Sequence, residues 1–230
     1  MRRSRGGIAY FTGGTGENLL LLLHGLGATA AVWRRVIPLV EESWDGRWAA
    51  PDLRGHGLSV AEAPYGFAVH AADMAALAVE LGASRLTVLG HSFGGVVGAV
   101  LGGGWFGVDV DRVAAVGVKI DWSADEVAGA HRMAARPPQV FPTAAEAADR
   151  HLKLAGLRDL LDPADPVARA GVRVADGAGS RPWIPERSAP SDRPSRPCCR
   201  AARRRCGWPR ARPIRWWAST PCGGSTPRRC

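Results

Sequence analysis

Residues 90–95, "GHSFGG", place a serine between two glycines in the pattern Gly-x-Ser-x-Gly. The preceding "RLTVL" predicts a short buried strand, and the following "VVGAV" predicts the start of a helix. A strand, a sharp turn and a helix around Ser92 would lift its hydroxyl above the end of a sheet. There the unpaired N–H groups of a helix N-terminus favour a developing negative charge. Such a turn strains the backbone at the serine and tolerates only small neighbours, which Gly90 and Gly94 supply. The chemistry this suits is attack of Ser92 on an acyl carbon through a covalent ester. The backbone N–H of Phe93 would be one donor to the resulting oxyanion.

A scaffold must hold that turn, and the chain predicts an α/β fold: a mostly parallel sheet with helices on both faces. At 230 residues it is long enough for one such domain with a sizeable core. Gly7–Thr12 predicts a short edge strand. Leu19–Leu23, a continuous apolar run bounded by turn residues, predicts a central strand buried on both faces. "GATAAVWRRVIPLVEES" has helical spacing, with Ala31, Trp33, Val36 and Val40 on one face. "GRWAAPDLRGHG" predicts a short strand ending in a loop, and "FAVHAADMAALAVELGA" a helix closed by Gly82. A strand at 86–89, a helix at 95–102, a break at Gly102–Gly104 and the strand "RVAAVGVKI" follow. From Ser123 to Val174 the strand signal gives way to three helical pieces. Two of them open with Ser or Thr three residues before an acidic residue. The expected organisation is a core over 1–121, a helical lid over 122–178 and a tail over 179–230. Such a lid would cover the carboxyl ends of the strands, where open α/β sheets bind ligands.

Two further stretches, "LLLLHGLG" (20–27) and "PDLRGHGLS" (51–59), precede "GHSFGG". In this order and spacing the three resemble α/β-hydrolase-fold proteins of the single-domain, lidded kind, over roughly residues 8–178. The resemblance implies that Leu26 supplies the second oxyanion donor and that His24 and His56 shape loops or pack. It implies no metal and no cofactor. A serine at the elbow sets the chain apart from relatives with an Asp nucleophile, such as epoxide hydrolases and haloalkane dehalogenases. The expected substrate is a small ester-like molecule: a carboxylic ester, lactone or thioester, with C–C bond hydrolysis also open. In this family the triad runs Ser, then Asp or Glu, then His. Only His131 and His151 follow Ser92, and each reads as a packed or solvated helix residue rather than as the base. Asp121, just past "RVAAVGVKI", is the candidate acid.

The formal charge of +9 is confined to the tail. Residues 1–180 carry 17 Lys+Arg against 19 Asp+Glu, whereas residues 181–230 carry 13 Arg against two acidic residues. The basic start lacks the apolar core of a signal peptide, and five leucines are far too few to span a bilayer, so a cytoplasmic location is expected. The last 50 residues hold nine Pro and four Trp, but only Ile184 and Ile214 as aliphatic residues larger than Ala, and cannot form an apolar face. Three readings of them compete. A basic arm would bind nucleic acid through phosphate neutralisation and stacking by Trp208, Trp216 and Trp217. A metal or disulfide module would use the five cysteines, but Cys198, Cys199, Cys206, Cys222 and Cys230 match no common zinc spacing. Out-of-frame translation of a GC-rich gene would explain Arg, Pro, Trp and Cys without Lys. Joining the third base of each codon to the next two makes Trp183-Ile184 encode Asp, and makes Trp216 to Ala218 encode Val-Gly. The run from Arg210 is then compatible with Gly-x-x-Asp-Pro-Met-Val-Gly. That string resembles the strand end bearing the catalytic Asp in this family, about 121 residues after Ser92. On this reading the sheet lacks its last strands, an apolar edge lies open, and the triad Asp and His are missing.

Overall fold

The computed structural model describes residues 1–134, 139–174 and 180–182. In chain order the elements are β1 (Arg2–Arg3), β2 (Ala9–Gly14), β3 (Asn18–Leu23), a 3-10 turn (Ala30–Arg35), α1 (Ile37–Ser43) and β4 (Arg47–Pro51). Then follow α2 (Phe67–Glu80), β5 (Arg85–His91), α3 (Phe93–Leu101), β6 (Val110–Val116), α4 (Ala124–Ala134), α5 (Ala144–Leu154), α6 (Pro166–Ala170), β7 (Val172–Val174) and β8 (Ser180–Pro182). The main sheet has the order β1-β2-β4-β3-β5-β6. Strands β4, β3, β5 and β6 are parallel, and β2 and β1 continue the sheet antiparallel.

Strand β3 sits between β4 and β5, and its leucines divide by parity. Leu19, Leu21 and Leu23 join Met74, Leu77, Val97 and Leu101 on the α2–α3 side, while Leu20 and Leu22 join Trp33, Val40 and Trp48 on the other. Each is at most 7% exposed, so the strand has no polar face, and each buried side chain contributes about 2 kcal/mol. Helix α3 lies close against the sheet because it is rich in glycine: a Cβ on Gly98 would sit 2.8 Å from Val88 Cγ1. Helix α2 closes as the sequence predicts. Gly82, at φ +64°, gives its N–H to the Val79 carbonyl, and Ala83 gives its N–H to the Ala78 carbonyl.

Several expectations are corrected. The strand expected at the edge over 7–12 is β2, Ala9–Gly14, and lies between β4 and the two-residue β1. The single helix expected over 27–43 is a 3-10 turn followed by α1. Pro38 lacks an N–H and suits only a first helical turn, so α1 restarts around it. Helix α3 begins at Phe93, two residues earlier than expected. Strand β6 starts at Val110 and ends at Val116 rather than running to Ile120, because Gly117 turns the chain at φ +65°. The helices of 122–178 form as α4, α5 and α6. Both expected side-chain caps are present: Ser123 Oγ accepts the Glu126 N–H at 3.3 Å and Thr143 Oγ1 the Glu146 N–H at 3.2 Å. The expected tail begins with structure, since β8 pairs antiparallel with β7. The arm, metal-module and frame readings of 183–230 fall outside the described residues.

Strand β6 is one edge of the described sheet, and β1 is the other. Val116 is 57% exposed, and nearby Trp105, Ile120 and Trp122 are 80%, 92% and 53% exposed. Among the described residues, no helix is long and apolar enough to cross a membrane.

Candidate active site

Ser92 occupies the single residue between β5 and α3, with φ 48° and ψ −114°. It is the one non-glycine residue with positive φ among those described, a conformation costing on the order of 1–3 kcal/mol. Three backbone bonds hold it there. Its N–H donates to the Val116 carbonyl at 2.8 Å, and its carbonyl accepts the N–H groups of Gly95 at 2.9 Å and Val96 at 3.2 Å. The pattern's glycines are steric requirements. A Cβ on Gly90 would lie 2.4 Å from the Gly94 oxygen, and one on Gly94 would lie 2.3 Å from the Leu23 oxygen.

The segment after β3 turns directly over this serine. The Gly25 carbonyl accepts the Ala28 N–H at 3.1 Å, and Gly27 at φ +75° fills the turn position that favours glycine. A Cβ on Gly25 would lie 2.9 Å from His91 Nδ1 and 3.6 Å from Ser92 Cβ. The Leu26 N–H has no hydrogen-bond partner among the described residues. Phe93 is the first residue of α3, where an N–H has no acceptor within the helix. The structure therefore sets Gly25, the residue before Leu26, against Ser92, with Phe93 next in the chain.

Two buried histidines and one buried carboxylate fix the turn. His24 Nε2 accepts the Leu53 N–H at 2.9 Å, so its proton is on Nδ1, which donates to the Gly25 carbonyl at 2.8 Å. His56 Nε2 accepts the Gly27 N–H at 3.2 Å and its Nδ1 donates to the Arg54 carbonyl at 3.1 Å. Burial lowers the His24 pKa to about 4 and holds His56 well below the usual histidine range, so both are neutral struts. Asp52 joins the same loops: Oδ1 accepts the Ala30 N–H at 2.7 Å and Oδ2 the Leu58 N–H at 2.9 Å. Burial raises its pKa against the pull of those N–H groups and of Arg173. Arg173, on β7, donates to the Gly57 carbonyl. Arg54 makes a two-point ion pair with Asp73 of α2, at 2.7 and 2.8 Å. The Phe93 ring lies 5.1 Å from both Phe67 and His70, which α2 supplies.

The other expected participants stay apart. Asp121 is exposed, five residues beyond β6, and His131 is exposed on α4. His151 is buried on α5 at 2% exposure, as a packed helix residue would be. Among the described residues no histidine hydrogen-bonds to the Ser92 hydroxyl or to Asp121, and no cluster of three or more His, Cys, Asp or Glu is placed to hold a metal. Sequence reasoning missed the bracing roles of Asp52, Asp73 and Arg173. Asp52 lay in a quoted motif, but its acceptors' partners could not be read from spacing. Arg173 meets Gly57 across 116 residues and left no local signal.

Comparison with known proteins gives a consistent picture. The profile of the family described as alpha/beta hydrolase fold matches residues 18–170. The chain is similar to the magnesium-chelatase 30 kDa subunit of Rhodobacter capsulatus, 35% identical over 112 residues, covering 48% of this chain and 38% of that protein. It is also similar to the pimeloyl-[acyl-carrier protein] methyl ester esterase of Edwardsiella ictaluri, 38% identical over 88 residues, covering 38% of this chain and 32% of that protein. Among solved structures, E-2-(acetamidomethylene)succinate hydrolase superposes with a TM-score of 0.56 at 26% identity, covering 80% of this chain and 68% of that one. The matches span under two-fifths of the length of these two curated relatives.

Proposed function

The chain belongs to the alpha/beta hydrolase fold family, and from that premise we propose a serine hydrolase site acting on a small ester-like substrate. The observation that carries this reading is Ser92, held at φ 48° at the head of α3 beneath the Gly25–Ala28 turn. Ser92 is the nucleophile and forms an acyl-enzyme. The Leu26 and Phe93 N–H groups receive the oxyanion, each donor lowering the barrier by on the order of 3 kcal/mol. The α4–α6 segment is a lid that shapes the pocket. A relative named for cleaving a methyl ester supports a carboxylic ester, lactone or thioester as the substrate class.

The step runs slowly in this chain. Ser92 has no histidine base among the described residues, and loss of a triad costs about 10⁴–10⁶-fold in rate. The test is turnover of a p-nitrophenyl ester and labelling by a fluorophosphonate, for the 230-residue chain and for Ser92→Ala. Weak labelling that vanishes in the Ser92→Ala variant supports the site. Equal labelling of both proteins refutes Ser92 as the nucleophile. Turnover near the roughly 10 per second typical of enzymes refutes the impairment.

A further inference from the structure

We propose that Arg173 is a positioning residue for the Gly25–Ala28 turn: from β7, on the chain that follows α4–α6, it clamps the Gly57–Leu58 peptide, and the loop around that peptide holds Gly27 and Ala30. This rests on the reading of Leu26 as an oxyanion donor.

One peptide unit is gripped at both ends. Arg173 donates from Nη2 to the Gly57 carbonyl. The N–H of the same unit belongs to Leu58, and Asp52 Oδ2 accepts it at 2.9 Å. A guanidinium thus stands at the negative end of the peptide dipole and a carboxylate at its positive end, so each bond polarises the peptide in favour of the other. Gly57 also lies flush on the carboxylate: a Cβ there would sit 2.1 Å from Asp52 Oδ2. The grip reaches the turn by two routes. Asp52 Oδ1 accepts the Ala30 N–H at 2.7 Å, so the carboxylate that holds Leu58 also holds the chain leaving the turn. His56, the residue before Gly57, accepts the Gly27 N–H at 3.2 Å. Leu26 lies between Gly27 and Gly25, whose carbonyl accepts the Ala28 N–H at 3.1 Å, and these bonds together aim its N–H. An arginine is a costly choice for this place. Arg173 is half-buried, and its Nε is buried without a hydrogen-bond partner among the described residues. An aliphatic residue would occupy a strand position without that cost. What a buried guanidinium needs is an anion close by, and Asp52 supplies it across the peptide. In keeping with this, burial raises the Asp52 pKa and the attraction of Arg173 opposes the rise.

Amide hydrogen exchange on the full chain tests this without needing catalysis. In Arg173→Met, which keeps an unbranched stem but no donor, the Gly27, Ala30 and Leu58 amides should exchange about tenfold faster than in the parent, with those of β3 unchanged. Arg173→Lys, which keeps a charged donor, should stay within about threefold of the parent. Arg35→Ala breaks only the exposed 3.7 Å ion pair with Asp165, ahead of α6, and should leave the three amides within about twofold. Unchanged exchange in Arg173→Met overturns the proposal, as does equal acceleration in Arg173→Lys or in Arg35→Ala. If Arg173→Met does not fold, the parent chain decides. By NMR, the Arg173 Nη protons should exchange about tenfold slower than those of Arg35, whose side chain is 73% exposed. Equal rates overturn the proposal. Fluorophosphonate labelling separates the two readings. A parent chain that does not label removes the serine-hydrolase reading but leaves the exchange result intact. Labelling that slows about tenfold in Arg173→Met and returns in Arg173→Lys ties the clamp to the chemistry. Labelling of Arg173→Met at the parent rate overturns its role in aiming the turn.

Discussion

Ser92 keeps its strained backbone because its neighbours' backbones have nowhere else to go. Gly94 is the sharpest case: a Cβ there would meet the Leu23 oxygen at 2.3 Å and the His24 oxygen at 2.7 Å, both main-chain atoms of β3 and its exit. Gly94→Ala should therefore destabilise the chain by about 2–4 kcal/mol in urea unfolding. Gly156→Ala is the contrast. Gly156 has φ +71° but nothing within 4 Å, so only the conformational cost of about 1 kcal/mol should appear. Equal losses for the two would show that sterics at the elbow are not what matters. The serine and its glycines were legible because the pattern is local and its strain has only one cheap solution. The packing of His24 and His56 was also legible, through the motifs they sit in. Their tautomers were not, because those depend on the N–H groups of Leu53 and Gly27, each 29 residues away.

Elements followed the sequence where a single periodicity ruled and departed from it where two signals overlapped. Strand β3 and helix α2 are of the first kind, one a run of leucines and the other ended by its glycine. The 3-10 turn and α1 are of the second kind: the apolar spacing continues through Val36, but Pro38 interrupts the ladder of hydrogen bonds. The place of β2 inside the sheet could not be read locally, since its partner β4 lies beyond the whole of β3 and α1. Helix α2 is tied to the 51–59 loop by the Arg54–Asp73 pair, whose side chains are only 16% and 13% exposed. Arg54→Ala leaves the Asp73 carboxylate largely buried without its partner and should cost about 2–4 kcal/mol. Adding Asp73→Ala should recover at least about 1 kcal/mol of that loss, as measured in a double-mutant cycle. Strict additivity would mean that the pair does not hold the loop to the helix.

At the scale of the molecule, the histidines act together. Burial places His24, His70 and His151 at about 4 and holds His56 well below its ordinary value of 6.5. Below pH 6.5 the unfolded chain takes up protons that the folded chain refuses. Stability is therefore complete above pH 6.5 and drains away as the pH falls toward about 4. Each such histidine contributes a slope of about 1.4 kcal/mol per pH unit, so the urea midpoint should drop clearly between pH 7 and pH 5. A flat profile would show that these rings are solvated. Asp52 has the opposite sign, because its raised pKa favours the folded state in acid, but it is one group against four.

The 2.8 Å bond from the Ser92 N–H to the Val116 carbonyl joins the centre of the molecule to its margin. Val116 ends β6, an edge strand of the described sheet, and is more than half exposed. Strand ends at a margin open and close at little free-energy cost, long before the interior does. The serine thus borrows its posture from an edge of the described sheet. Whatever firms that selvedge will also set how much of the time the hydroxyl points where chemistry needs it.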